Sequence, residues 1–356
     1  MNRIVICVLT LFLTANYTLA ADVWVNDLRR NFLNNSSTIY EINMRTFGAQ
    51  DTNKNGIIDE DEESGNFVNG VTRLDELAQK GINTIHILPI TPVGKTKALG
   101  TAGSLYAASS FNTINPQLVS TRSTLSGKAQ AAKFIDEAHK RKIRVIIDLP
   151  SCGSYDLFLK RPELFLKDKN GQPVIPSDWT DVRLLNAGNE TSINSEVYNL
   201  YKEFVDMVIN IGADGIRADV ATSKPAKFWK DLISYSRNKD PQFMWLAESA
   251  SNWKALDKDV CFTTYDKLLG AGFDGIYGNF SEMKDWRKAY QFNDQMKFTN
   301  SLKKKYAAQK SVIGNFTTHD EMSPVLINGA KYSEMIIWLN STLPLNSYYI
   351  DRSEEH

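Results

Sequence analysis

Short runs rich in β-branched residues alternate along the chain with stretches in which apolar residues recur every three or four positions. Eight runs are predicted as strands: 38–45, 82–90, 143–149, 215–220, 243–248, 273–277, 311–316 and 346–350. Between them the helical spacing is clearest over 71–80, 128–140, 196–210 and 226–237. Eight strands with intervening helices predict an α/β fold, a (β/α)8 TIM barrel. A doubly wound open sheet would share the alternation, but no glycine-rich phosphate turn follows the first strand. The stretch 151–194 interrupts the rhythm with Pro, Gly, Asp and Asn, and is expected to form a small irregular insertion after strand three.

Composition narrows the partner. With 41 basic and 41 acidic residues the formal charge is zero, so no long-range field gathers nucleic acid or anionic lipid, and a neutral partner is expected. At the amino terminus Arg3 precedes an apolar run over 4–13 and a small-residue end at Ala20. Residues 1–20 therefore read as a secretory signal peptide, cleaved to leave a secreted or periplasmic barrel over 21–356. The alternative, an uncleaved anchor, needs about 20 apolar helical residues to span a bilayer. Cleavage removes Cys7 and leaves Cys152 and Cys261, which is no disulfide framework, and spacing does not decide whether they pair.

A parallel barrel carries its chemistry at the carboxyl ends of its strands. Asp148 ends strand three, Arg217 and Asp219 end strand four, Glu248 ends strand five, and His319-Asp320 follows strand seven. A single acid at such a place reads as a helix cap. Four acids with an Arg and a His on one face read as a site, because folds accept desolvated like charges mainly for function. Retaining cleavage of a glycoside needs two carboxyls about 5–5.5 Å apart, one to attack and one to protonate, and Asp219 and Glu248 on adjacent strands suit it. Arg217 would keep Asp219 ionised, while the apolar neighbours Trp245 and Leu246 would keep Glu248 protonated. An Arg that merely ties two strands is the structural alternative for Arg217.

The strings that carry these residues resemble glycoside hydrolase family 13, the α-amylase family. Gly215-Ile216-Arg217-Ala218-Asp219 resembles its strand-four motif, Trp245-Leu246-Ala247-Glu248 its strand-five segment, and Phe316-Thr317-Thr318-His319-Asp320 its strand-seven motif. Tyr40-Glu41-Ile42, Leu88-Pro89-Ile90, Gly103-Ser104-Leu105-Tyr106 and Ile114-Asn115-Pro116 are similar to further segments in the same order. The resemblance implies Asp219 as nucleophile, Glu248 as general acid/base and Asp320 as the third catalytic acid. It places Tyr106, Asp148, Arg217 and His319 in substrate binding, with Tyr106 as the aromatic platform under the cleaved sugar. It also implies a monomer acting on α-glucans or maltooligosaccharides, as glycosidase or transglycosylase, through a covalent glycosyl-enzyme. Some positions depart from the family. Cys152-Gly153 stand where Asn-His is usual, which removes the usual calcium ligand and one sugar contact, and Thr222-Ser223 stand in place of Lys-His. The family continues with an eighth helix and a β-sandwich domain, which the sequence ending at His356 is expected to lack. A non-catalytic carbohydrate-binding or calcium-binding relic of the fold is the alternative.

One motif stands apart from the barrel. Residues 51–62 carry Asp51, Asn53, Asn55, Asp59 and Glu62 at the spacing of a calcium loop, with Gly56 at the turn and the Ile57 carbonyl between. Calcium is the expected cofactor, and a solvated acidic turn is the alternative.

Overall fold

The computed structural model describes residues 24–176, 179–249 and 262–351. The expected signal peptide, Cys261 and His356 lie outside the described residues. Among the described residues ten strands occur: β1 (Thr38–Ile42), β2 (Thr84–Ile87), β3 (Arg144–Leu149), β4 (Cys152–Ser154), β5 (Val182–Leu184), β6 (Gly215–Ala218), β7 (Met244–Ala247), β8 (Gly275–Tyr277), β9 (Ser311–Gly314) and β10 (Asn346–Ile350). Eight of them close into a parallel barrel in the order β1-β10-β9-β8-β7-β6-β3-β2, so the (β/α)8 expectation holds. Their side chains are buried on both faces, which is why the runs read as continuous apolar strings rather than alternating ones. Within 151–194, β4 and β5 pair antiparallel and stand outside the barrel.

The barrel interior is a separate apolar cluster of Ile39, Ile146, Met244, Leu246, Tyr277, Ile313 and Tyr348, sealed from the amino end by Leu28 and Phe32 of the helix Leu28–Leu33. That helix presses so close that a Cβ on Gly275 would lie 2.4 Å from the Phe32 ring, and one on Gly215 3.2 Å from Leu28. Glycine at these two strand positions makes room for the plug.

Strand ends are shorter than the sequence predicts. The run 38–45 stops at Ile42 because Asn43 caps the short helix Met44–Phe47, its side chain accepting the Arg45 N–H. The run 215–220 stops at Ala218, and Val220 adopts a left-handed φ of +36°. The helices expected over 128–140, 196–210 and 226–237 are Gly127–Lys140, Ser195–Asn210 and Ala226–Lys239, the first two capped by Ser126 and Asn194. The stretch 71–80 begins as a 3-10 turn, Asn69–Arg73, before Leu74–Gln79. Helices Tyr265–Ala271, Ala289–Lys305 and Ala330–Thr342 lie between the later strands, as a (β/α)8 barrel requires, at places where the helical spacing in the sequence is less clear. The last two bury few residues and so carry a weak apolar stripe.

Candidate active site

Strand parity builds the site. Ile39, Ile146 and Leu246 face the barrel interior, and two residues further on the same side come Glu41, Asp148 and Glu248. Register sets Asp148 beside Arg217 and Arg217 beside Leu246, so Arg217 and, two residues later, Asp219 share that side. All of these groups emerge at the carboxyl end.

Arg217, 1% exposed, is the hub. Its Nη1 lies 3.0 Å from both oxygens of Asp148 and 3.2 Å from Asp219 Oδ1, and its Nη2 lies 2.9 Å from Glu248 Oε1. Arg217 thus joins acids from three neighbouring strands rather than two. Three carboxyls on one cation leave excess negative charge, so one proton is favoured among them. Burial disfavours ionised Asp148, but Arg217 and His86 outweigh it and hold its pKa down to about 2. Burial also raises Asp219, against Arg217 and two hydrogen bonds from Ser151. Glu248 is pushed up to about 8 by burial and by the Asp219 and Asp320 charges, which together overcome Arg217. The proton therefore falls on Glu248, which also accepts the Val220 N–H at 2.6 Å. That N–H belongs to the β-branched residue held at positive φ, a strained conformation beside the two central acids.

A hydrogen-bonded chain forms the opposite wall. Tyr106 donates its hydroxyl to Asp148 Oδ2 at 2.7 Å, and the Tyr106 hydroxyl oxygen lies 2.8 Å from His319 Nε2. With the Tyr106 proton already given to Asp148, His319 Nε2 must donate, and His319 Nδ1 meets the fully buried carboxylate of Glu41. Both ring nitrogens act as donors, so the ring is an imidazolium. Burial opposes that charge, but Glu41 overcomes it and lifts the pKa to about 9. The Tyr106 and His319 rings stack at 5.5 Å.

These walls bound a cavity of about 410 Å³ lined by Tyr106, Asp219, Glu248, His319 and Asp320, with Trp179 at its edge. Asp320 lies at the mouth, its side chain 59% exposed and 3.4 Å from His319 Nε2, with no bond to Asp219 or Glu248. The structure thus gathers Asp219, Glu248, Asp148, Arg217, Tyr106 and His319, and leaves Asp320 on the rim. Glu41, His86, Ser151 and Tyr277 belong to the site but were not singled out from sequence. An acid inside the apolar string of β1 and a His inside that of β2 were the available signals. Cys152 carries a free thiol at the cavity edge. The loop 51–62 is exposed and lies outside the cavity lining. Among the described residues no group of three or more His, Cys, Asp or Glu is arranged to hold a metal.

No family model matches the chain. An α-1,4-glucan:maltose-1-phosphate maltosyltransferase of Arcanobacterium haemolyticum is 25% identical over 317 residues, covering 82% of this chain and 41% of that protein. The α-amylase MalA of Haloarcula japonica is 23% identical over 255 residues, covering 67% of this chain and 34% of that one. The chain thus spans about a quarter to two-fifths of the length of the first curated relatives it matches. Among solved structures, an α-amylase from Lactobacillus plantarum superposes with a TM-score of 0.69 at 23% identity, covering 90% of this chain and 71% of that one. A debranching enzyme from Nostoc punctiforme superposes with a TM-score of 0.64 at 15% identity, covering 93% of this chain and 74% of that one. The resemblance to glycoside hydrolase family 13 carried by the strand-end motifs is borne out by these relatives and by the shared barrel.

Proposed function

We propose that this chain is the catalytic barrel of a retaining α-glucan-active enzyme, a glycosidase or transglycosylase that passes through a glycosyl-enzyme on Asp219. The observation that carries the proposal is that Asp219 and Glu248 bond to two nitrogens of one buried guanidinium at the barrel mouth. Carboxyls so held suit the close spacing of retaining enzymes, about 5–5.5 Å, better than the about 6.5–9.5 Å of inverting ones. The maltosyltransferase relatives, named for α-1,4-glucan, bring that substrate class to this chain.

The sugar to be cleaved enters over Tyr106, between the Asp219 carboxylate and the His319–Asp148 wall. Asp219 attacks the anomeric carbon while Glu248, held protonated, gives its proton to the leaving oxygen. His319 as imidazolium would share its Nε2 N–H between the Tyr106 oxygen and a sugar hydroxyl, beside the Asp148 carboxylate. Ionised Glu248 then takes a proton from water or from a second sugar, which attacks and frees Asp219. Asp219→Asn should lower turnover of starch, maltooligosaccharides or an α-1,6-linked substrate by several orders of magnitude with the melting temperature kept within a few degrees. Product analysis on the same substrates separates hydrolysis from transfer. A parent protein that binds these sugars without turning them over would favour the carbohydrate-binding relic instead.

The same proposal includes one calcium ion in the loop 51–62. Asp51 accepts the N–H groups of Asn55 and Gly56 at 3.1 and 2.8 Å, and Gly56 takes the positive φ of +81° that closes the turn. The amides of Asn53 and Asn55 converge on Asp59 Oδ2 at 2.8 and 2.9 Å, while Glu62 closes the loop through Thr52, Asn53 and the Asp59 N–H. Among the described residues no Lys or Arg pairs with Asp51, Asp59 or Glu62. Calcium would take side-chain oxygens of Asp51, Asn53, Asn55, Asp59 and Glu62 with the Ile57 carbonyl, the Asn53 and Asn55 oxygens now accepting the Asn55 and Ile57 N–H groups at 2.9 and 2.8 Å. Melting temperature should rise with calcium, not with magnesium at equal concentration, and the shift should vanish in Asp51→Ala/Asp59→Ala. A calcium-independent parent strikes the metal.

A further inference from the structure

The two oxygens of Asp219 are not equivalent. Oδ2 accepts the Ser151 N–H at 2.9 Å and the Ser151 hydroxyl at 2.8 Å. Among the described residues Oδ1 has only Arg217 Nη1 at 3.2 Å, a nitrogen also given to Asp148. Ser151 is itself braced from behind. The Tyr201 hydroxyl donates to the Pro150 carbonyl at 2.9 Å, and that carbonyl shares a peptide unit with the Ser151 N–H, so the bond polarises the donor facing Asp219. Lys224 Nζ donates to the Ser151 carbonyl at 2.8 Å and sits 5.1 Å from the Tyr201 ring centroid. The Thr263 hydroxyl in turn fixes the Lys224 carbonyl at 2.7 Å.

Lys224 is 1% exposed, with no carboxylate partner among the described residues. A buried ammonium with neutral acceptors only is costly, and here it lies behind the attacking acid. The positions that depart from the family pattern flank this brace: Cys152-Gly153 follow Ser151, and Thr222-Ser223 precede Lys224.

We propose that Ser151, braced by Tyr201 and Lys224, is the positioning residue of the nucleophile, holding Asp219 Oδ2 out of the bond to sugar so that Oδ1 takes the anomeric carbon. This rests on the reading of Asp219 as nucleophile. In the first step the Oδ1–C1 bond forms, the bond from C1 to the leaving oxygen breaks, and that oxygen takes the Glu248 proton. Oδ2 becomes the ester carbonyl oxygen under the two Ser151 donors. In the second step the acceptor hydroxyl bonds C1 and passes its proton to Glu248, and the C1–Oδ1 electron pair returns to Asp219. Charge regenerated on the carboxylate spreads to Oδ2, where the donors already point. Ser151 therefore assists release from the enzyme more than attack.

The charged groups facing Asp219 are Arg217 and Asp148 in the barrel, Glu248 across the shared guanidinium, and Lys224 behind the Ser151 loop. The adjacent Cys152 thiol is pushed up to about 11 by burial and stays neutral. Loss of the Ser151 hydroxyl leaves Arg217 and the Ser151 N–H in place. It should move the acid limb of kcat/KM upward by about one pH unit and lower kcat about 10- to 100-fold.

The test compares the parent with Ser151→Ala, Ser151→Thr, Tyr201→Phe and Lys224→Met on an aryl α-maltooligoside across pH, with mass spectrometry of acid-quenched enzyme. Ser151→Ala should shift the limb and accumulate a glycosyl adduct, Ser151→Thr should restore both, and Tyr201→Phe and Lys224→Met should shift the limb in the same direction. An unmoved limb with no adduct in an active, folded Ser151→Ala overturns the proposal while leaving Asp219 as nucleophile. Should Ser151→Ala fail to fold, Tyr201→Phe, which loses one hydroxyl, decides by the same two readouts. If the parent turns over no α-glucoside, the functional reading has failed instead. Carboxyl 13C NMR of Asp219 then tests Ser151 alone: a higher pKa in Ser151→Ala upholds the hold on Oδ2, and an equal one refutes it.

Discussion

Glu41→Gln keeps the shape of a buried side chain and removes the charge that His319 Nδ1 faces. The folded His319 pKa stands at about 9 against an ordinary 6.5. Burial lowers it, and the hydrogen bond and charge of Glu41 more than reverse that effect, with Asp320 helping and Arg217 opposing. A rise of about 2.5 units corresponds to roughly 3 kcal/mol favouring the imidazolium, at about 1.36 kcal/mol per unit. With Glu41 neutral, burial, the largest effect, and Arg217 outweigh the remaining Asp320 charge, so the ring in the variant should titrate below 6.5 and be neutral at pH 7. A group whose pKa is higher folded than unfolded stabilises in full below its unfolded pKa, and that stability is lost as pH rises toward the folded one. The parent should therefore lose about 1.4 kcal/mol per pH unit from this ring between about 6.5 and 9, and Glu41→Gln should not. Burial holds Lys224 and Lys310 down near 8, and these act in the opposite sense over part of that range. The difference between parent and variant isolates His319. The assay is imidazole NMR titration, with denaturant unfolding at each pH. Turnover at pH 7 should fall about 10- to 100-fold through the lost charged hydrogen bond to sugar. A variant ring still titrating above 8, or a parent ring near 6.5, would refute the argument.

Two further outcomes follow from the same geometry. Glu248, held protonated up to about pH 8, should give an alkaline limb in which activity fades as pH rises through that value. Glu248→Gln should abolish the limb and slow glycosides with poor leaving groups far more than those with good ones, and equal losses would make Glu248 a structural carboxyl. Phe32→Ala empties the plug beneath the barrel and should cost about 3–5 kcal/mol in denaturant unfolding while leaving KM unchanged, and a change in KM without destabilisation would contradict the division of roles between the two ends.

The barrel was legible because its strands are buried on both faces and so stand out as apolar runs, and because their carboxyl ends repeat charged residues. Strand limits were less legible. Asn43 and Val220 lie in runs that still read as strand, yet one is a helix cap made with Arg45 two residues on, and the other is a left-handed turn whose N–H is held by Glu248, remote in sequence. Among the site residues, Asp219, Glu248 and Arg217 could be read from strand ends. Ser151 could not, since a serine after a proline carries no signal until β3 brings it onto Asp219. Glu41 was visible as part of a motif but not as the counterion of His319, because that pairing joins residues at opposite ends of the chain. Helices Ala289–Lys305 and Ala330–Thr342 escaped because little of either is buried, so periodicity had little to record.

The two ends of the barrel treat buried charge in opposite ways. At the amino end Asp214 has Trp24 on one oxygen and His139 and the Val145 N–H on the other, and Asp274 has Arg29 on one and Arg237 with the Trp245 N–H on the other. Each carboxylate there is matched by donors and, for Asp274, by two cations, so charge is neutralised and the ion pairs brace the strands. At the carboxyl end three carboxyls share Arg217, His319 is made cationic by Glu41, Lys224 is buried without an acid, and Val220 is strained. Such an end is less stable than a fully matched one, and it can lower its energy by taking in groups that supply the missing hydrogen bonds. A ring bearing several hydroxyls has donors and acceptors of that kind. The excess negative charge further favours a neutral guest over an anionic one, and gives Glu248 a reason to keep its proton until the leaving oxygen takes it.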